Sequence, residues 1–373
     1  MMTRDALIRA FLEEAGWGAA RRRPLAGDAS TRRYERLDGP QGRAVLMDAP
    51  PASDGPPIKS VASSEAKPYS AIAHLAEDCR PFVAIGRLLR GWHLSAPVIL
   101  AHDMENGLLL LEDLGDALYG RAIDEGQGPQ GEPLEGLYRA AIDVLLVVHA
   151  RGTPGPQTLP DGSLYVIPAY DDAALAAETA LLTDWYLPAK RGGAIGDAAC
   201  SDYRALWAAL FPQTRTTAPV LTLRDFHSPN LLWLPERQGA ARVGLIDFQD
   251  AVIGPRAYDL VSLLQDARRD VPQDREQAML VHYITEAARA DATFDETAFR
   301  AAYAILGAQR NAKIAGIFVR LWQRDGKPGY LAHIPRVLDY LERDLAHPVL
   351  AGLKDWLDAQ VSPDERRVPP GPE

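Results

Sequence analysis

The stretch LRDFHSPNLLW, residues 223–233, sets two oxygen-bearing side chains close together on what reads as a loop. Asp225 follows an apolar run, and Asn230 comes five residues later, directly after a proline. A second stretch, VGLIDFQD at residues 243–250, carries Asp247 directly after another apolar run. Short apolar runs bounded by polar, proline-containing segments indicate strands. The two stretches therefore predict two strands whose ends present Asp225, Asn230 and Asp247 close to one another.

These three side chains have the chemistry of a phosphoryl-transfer site. Carboxylate and amide oxygens suit Mg²⁺, which keeps several waters and takes its remaining ligands from phosphates. A carboxylate on the same loop that does not bind the metal can accept a proton from a hydroxyl. Each residue alone is more often a turn former or a helix cap. The joint spacing, Asp-x4-Asn followed by Asp after a short hairpin, favours a kinase-like site over that alternative.

Composition and charge narrow the class of protein. The 373 residues are 47% hydrophobic and 24% charged, with a net charge of −10, which is typical of a soluble globular protein. A general nucleic-acid binder would carry a basic stripe instead. The N-terminus lacks the apolar core of a signal peptide, and no apolar run is long enough to span a bilayer. We therefore expect a cytoplasmic monomer or weak dimer without nucleic-acid or membrane partners, and Cys79 and Cys200 as free thiols.

The chain divides into two parts of different character. Residues 1–115 predict a small mixed lobe: a helix capped by Thr3, strands, a loop over 50–68, a helix over 77–91 and a hairpin turning at 105–107. Residues 116–350 predict a helical lobe whose clear strands flank the opening motif. Its expected helices cover 135–150, 172–187, 200–211, 256–269, 275–290, 296–324 and 332–346. A hinge is expected at 110–116, and the tail, 351–373, is expected to fray at its Pro-rich charged end.

Several segments carry a family resemblance. The stretches LRDFHSPNLLW and LIDFQDAVIGPRAYDLVSLLQD resemble the catalytic loop and the metal loop of the aminoglycoside phosphotransferase and choline kinase family. The segments GDASTRRYERL, VLMDAPP, RPFVAIGRLLRGWHLSAPVIL, LLLLEDLGD and DWYLPA resemble one subgroup, the bacterial anomeric kinases of N-acetylmuramate and N-acetylglucosamine, in the same order. The resemblance runs from about residue 5 to about residue 345. It implies an α+β, two-lobed protein-kinase-like fold that binds ATP and Mg²⁺.

The resemblance also implies roles for individual residues. Asp225 matches the catalytic base, and Asn230 and Asp247 match the Mg²⁺ ligands. Arg224 and Asp259 match residues that support the catalytic loop. The remaining matches concern the nucleotide: a phosphate-binding loop formed by Gly27, Asp28, Ala29, Ser30, Thr31 and Arg32, and an adenine-binding hinge formed by Glu112, Asp113 and Leu114.

The sequence departs from the family pattern at two positions. Kinases of this fold usually carry a lysine on the third strand that holds phosphates, and Met47 falls there. Either the subgroup dispenses with the lysine, or an arginine such as Arg32 or Arg33 replaces it, since a guanidinium offers a fixed fork for phosphate oxygens. The second departure is Leu223, where the family often has a bracing histidine. Its loss leaves the chemistry in place.

The acceptor site is less clearly marked in the sequence. Its candidates are His227, Asp250, Trp185, Tyr186 and Arg310. Each has an alternative: His227 can brace the loop, Asp250 can bind loop amides, and the two aromatic residues can be core. Arg310, with Lys313 three residues on, can meet a lactyl carboxylate or belong to a solvated stripe.

We therefore predict an ATP-dependent small-molecule kinase, with the anomeric hydroxyl of N-acetylmuramate or N-acetylglucosamine as acceptor. One alternative is the same fold with another acceptor, such as an aminoglycoside, choline or homoserine. The other is a kinase-like module that binds nucleotide without turnover, which Met47 suggests and the intact Asp225, Asn230 and Asp247 oppose.

Overall fold

A computed structural model describes residues 3–25, 32–52, 57–59, 66–215 and 217–371. The predicted phosphate-binding loop, Gly27 to Thr31, lies outside these residues. Within them the chain forms an α+β fold, as predicted, with one antiparallel sheet near the N-terminus and a larger helical part after it.

The sheet builds the N-terminal lobe and has the strand order β1-β2-β3-β7-β6. The strands of this lobe are β1 (Arg21–Pro24), β2 (Arg33–Gly39), β3 (Gly42–Asp48), β4 (Pro57–Lys59), β5 (Ala66–Pro68), β6 (Ile99–Asp103) and β7 (Leu108–Glu112). Side chains alternate between the faces of a strand. On β3, Leu46 therefore packs on the N-terminal helix, while Met47 faces the large core shared with the helical lobe.

The N-terminal helix, α1 (Arg4–Glu14), covers one face of this sheet. The Thr3 side chain accepts a hydrogen bond from the Ala6 backbone N–H at 3.3 Å, which confirms the predicted cap. Three apolar side chains of α1 are buried against the sheet: Ile8, Phe11 and Leu12. Their i, i+3, i+4 spacing supplies one apolar stripe, so the helix lies flat on the strands.

Residues 69–79, between β5 and the next long helix, are called here the crossing segment. They contact the helical lobe, because Tyr69 and Ala73 pack against Leu181. The hairpin of β4 and β5 lies within the segment predicted as loop, so that prediction is wrong for these strands. Two helices follow, α2 (Tyr69–Ile72) and α3 (Arg80–Gly91). The start of α3 is three residues later than predicted, because Pro81 occupies the first turn, where its missing N–H costs nothing.

The predicted hairpin between β6 and β7 is confirmed. Its tip is fixed by Asp103, which accepts hydrogen bonds from the Asn106 backbone N–H at 3.0 Å and from Asn106 Nδ2 at 2.8 Å. Gly107 has a φ of 66°, and a Cβ there would lie 2.0 Å from the Ala49 carbonyl oxygen. Only glycine fits this turn beside the end of β3.

The second lobe is mainly helical. Its helices are α4 (Tyr119–Glu125), α5 (Leu134–Ala150), α6 (Asp172–Leu181), α7 (Leu187–Arg191), α8 (Asp197–Leu210), α9 (Ala257–Leu264), α10 (Gln273–Ala290), α11 (Glu296–Gln323), α12 (Ile334–Leu345), α13 (Ala351–Gln360) and α14 (Pro363–Arg366). A π-helical segment, Leu182–Tyr186, joins α6 to α7. Short 3₁₀ turns cover Phe211–Thr214, Ser228–Asn230, Gly239–Arg242, Pro328–His333 and Pro348–Leu350. The predicted helices are present, with α9 ending five residues early.

The long helix α11 forms the centre of this lobe and packs against α6, α9 and α12. A Cβ on its Gly316 would lie 2.2 Å from the Leu181 carbonyl oxygen, so glycine permits the close approach of α6. Three two-stranded sheets complete the lobe: β8 (Gln157–Thr158) with β9 (Leu164–Tyr165), β10 (Val220–Thr222) with β13 (Val252–Gly254), and β11 (Leu231–Trp233) with β12 (Val243–Leu245).

The C-terminal segment packs against the helical lobe as far as Val368, whose carbonyl oxygen accepts a hydrogen bond from Lys190 Nζ at 2.9 Å, so the prediction that its end frays is wrong up to this residue. The ring centroid of Trp356 on α13 lies 4.6 Å from that of Tyr203 on α8. Arg366 is fully enclosed and contacts Glu342 at 3.1 Å and also Asp358. Ser362 caps α14 through a reciprocal pair of hydrogen bonds with Glu365. Tyr203 and Glu342 lie far in the sequence from Trp356 and Arg366, so composition alone gave no sign of these two contacts.

Two further observations concern the chain as a whole. Among the described residues, none of the helices combines the length and the apolar character needed to cross a membrane. Cys79 and Cys200 are free thiols, as predicted. Burial raises the pKa of Cys79 to about 11, so this thiol stays protonated and unreactive near neutral pH.

Candidate active site

The loop between β10 and β11 carries the first two residues of the predicted site. Strand β10 is buried and paired with β13, which fixes where the loop begins. Phe226 is buried and anchors the loop in the core. Asp225 and Asn230 on either side of it are half-buried. A buried anchor between two partly exposed polar side chains holds the loop in one conformation while its oxygens stay accessible.

The loop after β12 brings Asp247 to the same place. The Ile246 backbone N–H donates to the Asn230 carbonyl oxygen at 3.1 Å, which joins the two loops. Asn230 Nδ2 lies 3.0 Å from the Asp225 carbonyl oxygen and 3.5 Å from Asp247 Oδ2. The structure therefore brings together the three residues that the spacing predicted to be close.

Two residues at this site have a left-handed backbone. Arg224, just before Asp225, has a φ of 67°, and Asp247 has a φ of 59°. Such conformations are uncommon for residues other than glycine, and persist where the surroundings hold them in place. Here they flank the half-buried carboxylates, so the packing of the loops determines the direction of these side chains.

His227 contacts Asn230 and therefore lies inside the cluster. Its Nε2 lies 3.4 Å from Asn230 Nδ2, and burial lowers the pKa of His227 to about 4. The imidazole is neutral near pH 7, so Nε2 can accept a hydrogen bond from the amide. Gln249 adds a further amide, since its Nε2 donates to Asp247 Oδ1 at 3.1 Å and its side chain is buried.

Arg224 connects the catalytic-loop region to three other segments. It is 2% exposed, forms an ion pair with Glu178 on α6, and donates to the Ala73 carbonyl oxygen at 2.8 Å. Its guanidinium carbon also lies 5.2 Å from the ring centroid of Tyr170. Sequence reasoning missed Glu178. The signal was present in AALAAETALL, where one glutamate stands in an otherwise small and apolar helix.

Asp259 on α9 holds the backbone just before Asp225. Its two carboxylate oxygens accept hydrogen bonds from the N–H groups of Leu223 at 2.6 Å and Arg224 at 2.8 Å. Burial raises the pKa of Asp259 to about 7, although the two backbone hydrogen bonds act in the opposite direction. The leucine that replaces the usual histidine is thus anchored through its backbone.

The segment Glu112 to Leu114 connects the two lobes at the end of β7. Glu112 accepts hydrogen bonds from the Val98 N–H at 3.0 Å and from Arg237 Nη2 at 2.7 Å. Asp113 accepts one from the Gly115 N–H at 2.9 Å and pairs with Arg36. Leu114 packs close to Gly244 in β12. These side chains hold the segment between the lobes.

Of the predicted phosphate-binding residues, Arg32 lies within the described part of the chain. Its Nη2 contacts Asp247 Oδ1 at 2.9 Å. Met47, at the position of the usual lysine, is buried in the large core.

The predicted acceptor-site residues fall into two groups. Asp250 is half-buried near Asp247, and its Oδ1 accepts a hydrogen bond from the Ala76 N–H at 2.7 Å. Trp185 is partly buried against the core beside Ala73 and Leu75, residues of the same crossing segment as Ala76. His227 and Asp250 are thus at the cluster, and Trp185 packs on the segment that borders it.

The other two predicted acceptor residues lie in the core. Tyr186 is fully buried, and its hydroxyl donates to the Arg366 carbonyl oxygen at 3.1 Å. Arg310 is buried on α11, with Nη1 3.5 Å from the Gln265 carbonyl oxygen. Lys313 contacts Glu178 at 2.7 Å. The structure does not bring Tyr186 or Arg310 to the cluster, and the basic pair is not a solvated stripe.

Electrostatics set the cluster apart from an ordinary surface. Burial raises the pKa of Asp247 to about 6, opposed by Arg32 and reinforced by the charges of Asp225 and Asp250. When Asp247 is ionised, its charge adds to those of Asp225 and Asp250, and a cation bound there relieves the repulsion among them. Among the described residues, no group of three His, Cys, Asp or Glu side chains is arranged to hold a metal ion. A set of one carboxylate and one amide fits Mg²⁺ completed by phosphates and water.

Comparison with known proteins agrees with this geometry. Residues 21–299 match the model of the phosphotransferase enzyme family. The chain is 45% identical to an N-acetylmuramate/N-acetylglucosamine kinase of Caulobacter vibrioides, over 98% of each chain. It is 34% identical to a protein of the same name from Pseudomonas aeruginosa, over 95% of this chain and 93% of the other. A choline/ethanolamine kinase family protein of Mesorhizobium loti has the same fold, with a TM-score of 0.54, 13% identity, and 97% and 98% of the two chains covered. The chain therefore belongs to the phosphotransferase enzyme family.

Proposed function

We propose that this protein is an ATP-dependent kinase that phosphorylates the anomeric hydroxyl of N-acetylmuramate or N-acetylglucosamine. The acceptor oxygen bonds to the γ-phosphorus, the bond between that phosphorus and ADP breaks, and the acceptor proton leaves. The site supports the reaction type, and the 45% identical relative supports the sugar. In a cytoplasmic enzyme, this activity would serve the recycling of peptidoglycan sugars.

Asp225 is the proposed base. It is half-buried on a loop anchored by Phe226, beside the two residues with metal-ligand chemistry. A carboxylate held there can accept the hydrogen bond of the acceptor hydroxyl, aim its oxygen and take its proton. Its backbone carbonyl accepts the hydrogen bond from Asn230, so the base and the neighbouring ligand position move as one unit.

Asn230 and Asp247 are the proposed holders of Mg²⁺. When bound, the ion would offset the negative charge of the ATP phosphates. His227 and Gln249 contact the two ligand residues and set the direction of their side chains. Such supporting contacts fix ligand geometry in metal sites.

The proposed adenine contact is the backbone of residues 112–114. The side chains of Glu112 and Asp113 are occupied by Arg237, Arg36 and the Val98 N–H. The Glu112 N–H donates to the Val98 carbonyl oxygen, so we assign the base contact to the main-chain groups of residues 113 and 114. We assign residues 27–31 to the phosphates on the family resemblance alone. The proposed lobes are 1–115 and 116–350, with 351–373 as a C-terminal tail.

Asp250 is the proposed first contact of the sugar, with Trp185 near the wall of the pocket. Asp250 lies three residues after Asp247 and holds the crossing segment through Ala76. An acetamido sugar offers several hydroxyls to a carboxylate in this place. Tyr186 and Arg310 are left out of the proposed pocket because they are buried elsewhere.

The observation that carries the proposal is the joint position of Asp225, Asn230 and Asp247. The test is ATP turnover with Mg²⁺ on N-acetylmuramate, N-acetylglucosamine, glucosamine, choline, homoserine and kanamycin, with phosphorus NMR to locate the new phosphate. We expect a 1-phosphate from the acetamido sugars. Asp225→Asn should lower turnover roughly 10²- to 10⁴-fold, while Asp274→Asn, an exposed control at the start of α10, should leave it unchanged.

The other outcomes distinguish a different acceptor, a binding module and a wrongly assigned base. Phosphorylation of choline, homoserine or kanamycin instead would keep the kinase and move the acceptor. Nucleotide binding with no turnover of any acceptor would favour a binding module. Full activity of Asp225→Asn would contradict the assignment of the base.

A further inference from the structure

Arg32 faces the acidic groups of the proposed site from the N-terminal lobe. Its Nη2 lies 2.9 Å from Asp247 Oδ1, although the two residues are 215 positions apart in the sequence. The side chains are 15% and 37% exposed, respectively. Asp225 and Asp250 also act on the guanidinium electrostatically. One cation of the first lobe thus contacts one carboxylate of the second and feels the charge of two more.

The register of the sheet explains why Arg32 can reach this position. Tyr34 on β2 is paired with Met47 on β3, and directly paired residues point to the same face of a sheet. Arg32 precedes Tyr34 by two residues, so an extended backbone directs its side chain to that face as well. Arg33 falls on the opposite face and is exposed. Of the two arginines, Arg32 is therefore the one on the face of Met47.

Met47 itself cannot hold a phosphate. It is 1% exposed and packed in the same core as Phe82 and Leu109. The residue is uncharged, so no cation projects from this position of β3. The residue just before the neighbouring strand provides one instead, since Arg32 precedes Tyr34 by two positions and Tyr34 shares a face with Met47.

We propose that Arg32 is the phosphate-binding cation of this kinase and that it alternates between two partners. Before the metal binds, Arg32 holds Asp247. When a divalent ion takes Asp247, the guanidinium turns to the nucleotide phosphates. This inference rests on the proposed kinase function and adds to it the residue that replaces the lysine.

The physical reason is charge. Three neighbouring carboxylates repel one another, and a guanidinium among them reduces that repulsion. A divalent ion on Asp247 serves the same purpose more strongly and repels the guanidinium at the same time. The planar fork of arginine matches phosphate oxygens, so the released side chain has a partner at hand. Arg32 should therefore compete with a metal bound alone and cooperate with a metal bound to nucleotide.

The proposal predicts two effects of opposite sign in Arg32→Gln, both measured without catalysis. Binding of Mg²⁺-ADP, measured by titration calorimetry, should weaken roughly 10- to 100-fold, because a charged hydrogen-bond donor to phosphate is lost. Binding of Mn²⁺ alone, measured by electron paramagnetic resonance, should tighten by a few-fold. Binding of adenosine, which has no phosphate, should stay unchanged.

Three further variants make the test specific. Arg32→Lys should recover most of the Mg²⁺-ADP affinity and keeps the test possible if Arg32→Gln folds poorly. Arg33→Gln, the neighbouring exposed arginine, should behave as wild type in every titration. Asp247→Asn should abolish the Mn²⁺ signal, which shows that the signal reports on this carboxylate.

The inference is overturned if Arg32→Gln binds Mg²⁺-ADP as tightly as wild type, or if Mn²⁺ alone binds the variant no more tightly. It is also overturned if Arg33→Gln produces the larger loss. The proposed function fails separately, and in a different way: the wild-type protein would then turn over none of the acceptors, whatever the titrations of Arg32→Gln show.

Discussion

Two clusters of charged residues lie on either side of the backbone at Arg224 and Asp225, and they differ in how completely their charges are paired. The first, called here the clamp cluster, consists of Glu178, Arg224, Lys313 and Tyr170. Glu178 is fully buried and accepts hydrogen bonds from Arg224, from Lys313 at 2.7 Å and from the Tyr170 hydroxyl. Its neighbour Gln309 donates a further one at 2.7 Å.

The second, called here the site cluster, consists of Arg32, Asp225, Asp247 and Asp250. It is half-exposed and has three carboxylates and one guanidinium. The clamp cluster satisfies one carboxylate with two cations, while the site cluster leaves negative charge in excess. A fully satisfied buried network fixes a structure. An incompletely neutralised, partly exposed cluster attracts a positively charged ligand, which is the property that a metal–nucleotide site needs.

The largest difference in stability is expected when the charge of Glu178 is removed. Glu178→Gln leaves Arg224 and Lys313 buried without a countercharge, and we expect a loss of about 3–5 kcal/mol in the free energy of unfolding. Urea denaturation would measure it. Glu286→Gln removes an exposed partner of Arg289, and should change stability by about 0.5 kcal/mol or less. A loss of similar size in both variants would mean that the clamp cluster is an ordinary ion pair.

The matching change in the site cluster is Asp247→Asn. We expect the phosphoryl-transfer rate to fall roughly 10²- to 10³-fold, because the carboxylate that would hold Mg²⁺ is lost, and with it the positive charge that would offset the phosphates. Stability should stay within about 1 kcal/mol of wild type, because an ionised carboxylate at this site repels Asp225 and Asp250. Steady-state kinetics and urea denaturation on the same preparation measure both. Severe destabilisation without loss of rate would reverse the roles of the two clusters.

The free energy of unfolding should depend on pH in opposite directions for the two clusters. Burial acts to raise the pKa of Glu178, but Lys313 and Arg224 outweigh it and lower this pKa to about 2. The ionised Glu178 therefore stabilises the folded state above its unfolded pKa. This contribution is lost as the pH falls from about 4.5 towards 2. Burial raises the pKa of Asp247 to about 6. The folded state then holds the extra proton, so this group favours folding at low pH and its contribution declines as pH rises from about 4 to 6.

Urea denaturation across this range would show the two slopes. Glu178→Gln should flatten the fall in stability on the acid side of pH 4.5. Asp247→Asn should remove the decline between about pH 4 and 6. Unchanged slopes in both variants would contradict the assigned pKa directions.

The sequence predicted best the features that depend on local spacing. Asn230 and Asp247 lie together because β11 begins beside the end of its partner β12, and Asp225 is on the loop that leads into β11. The apolar runs showed where these strands begin and end. The α1 cap at Thr3 and the hairpin at Gly107 follow from the same kind of local signal. Each is decided by residues close in the chain.

The features that the sequence did not predict are contacts between distant segments. Glu178 meets Arg224 across 46 positions, and Arg32 meets Asp247 across 215. Glu178 stands out in its apolar helix, but nothing near it in the sequence indicates Arg224 as its partner, and nothing near Arg32 indicates Asp247. Only the packing of helices and lobes reveals these contacts. Arg366 is a further example, because this buried residue of the tail contacts Glu342 on α12.

The smallest predicted effect concerns Tyr186, which resembled a sugar-stacking residue in the sequence. In the structure its ring is fully buried and its hydroxyl donates to the Arg366 carbonyl oxygen. Tyr186→Phe should therefore cost about 1 kcal/mol of stability through the lost hydrogen bond, and leave the KM for the acceptor unchanged. Trp185→Phe is the matched comparison, since Trp185 packs on the segment that borders the site. If the acceptor KM rises in Tyr186→Phe but not in Trp185→Phe, the sugar lies beside Tyr186 and not on the side of Trp185 that we propose.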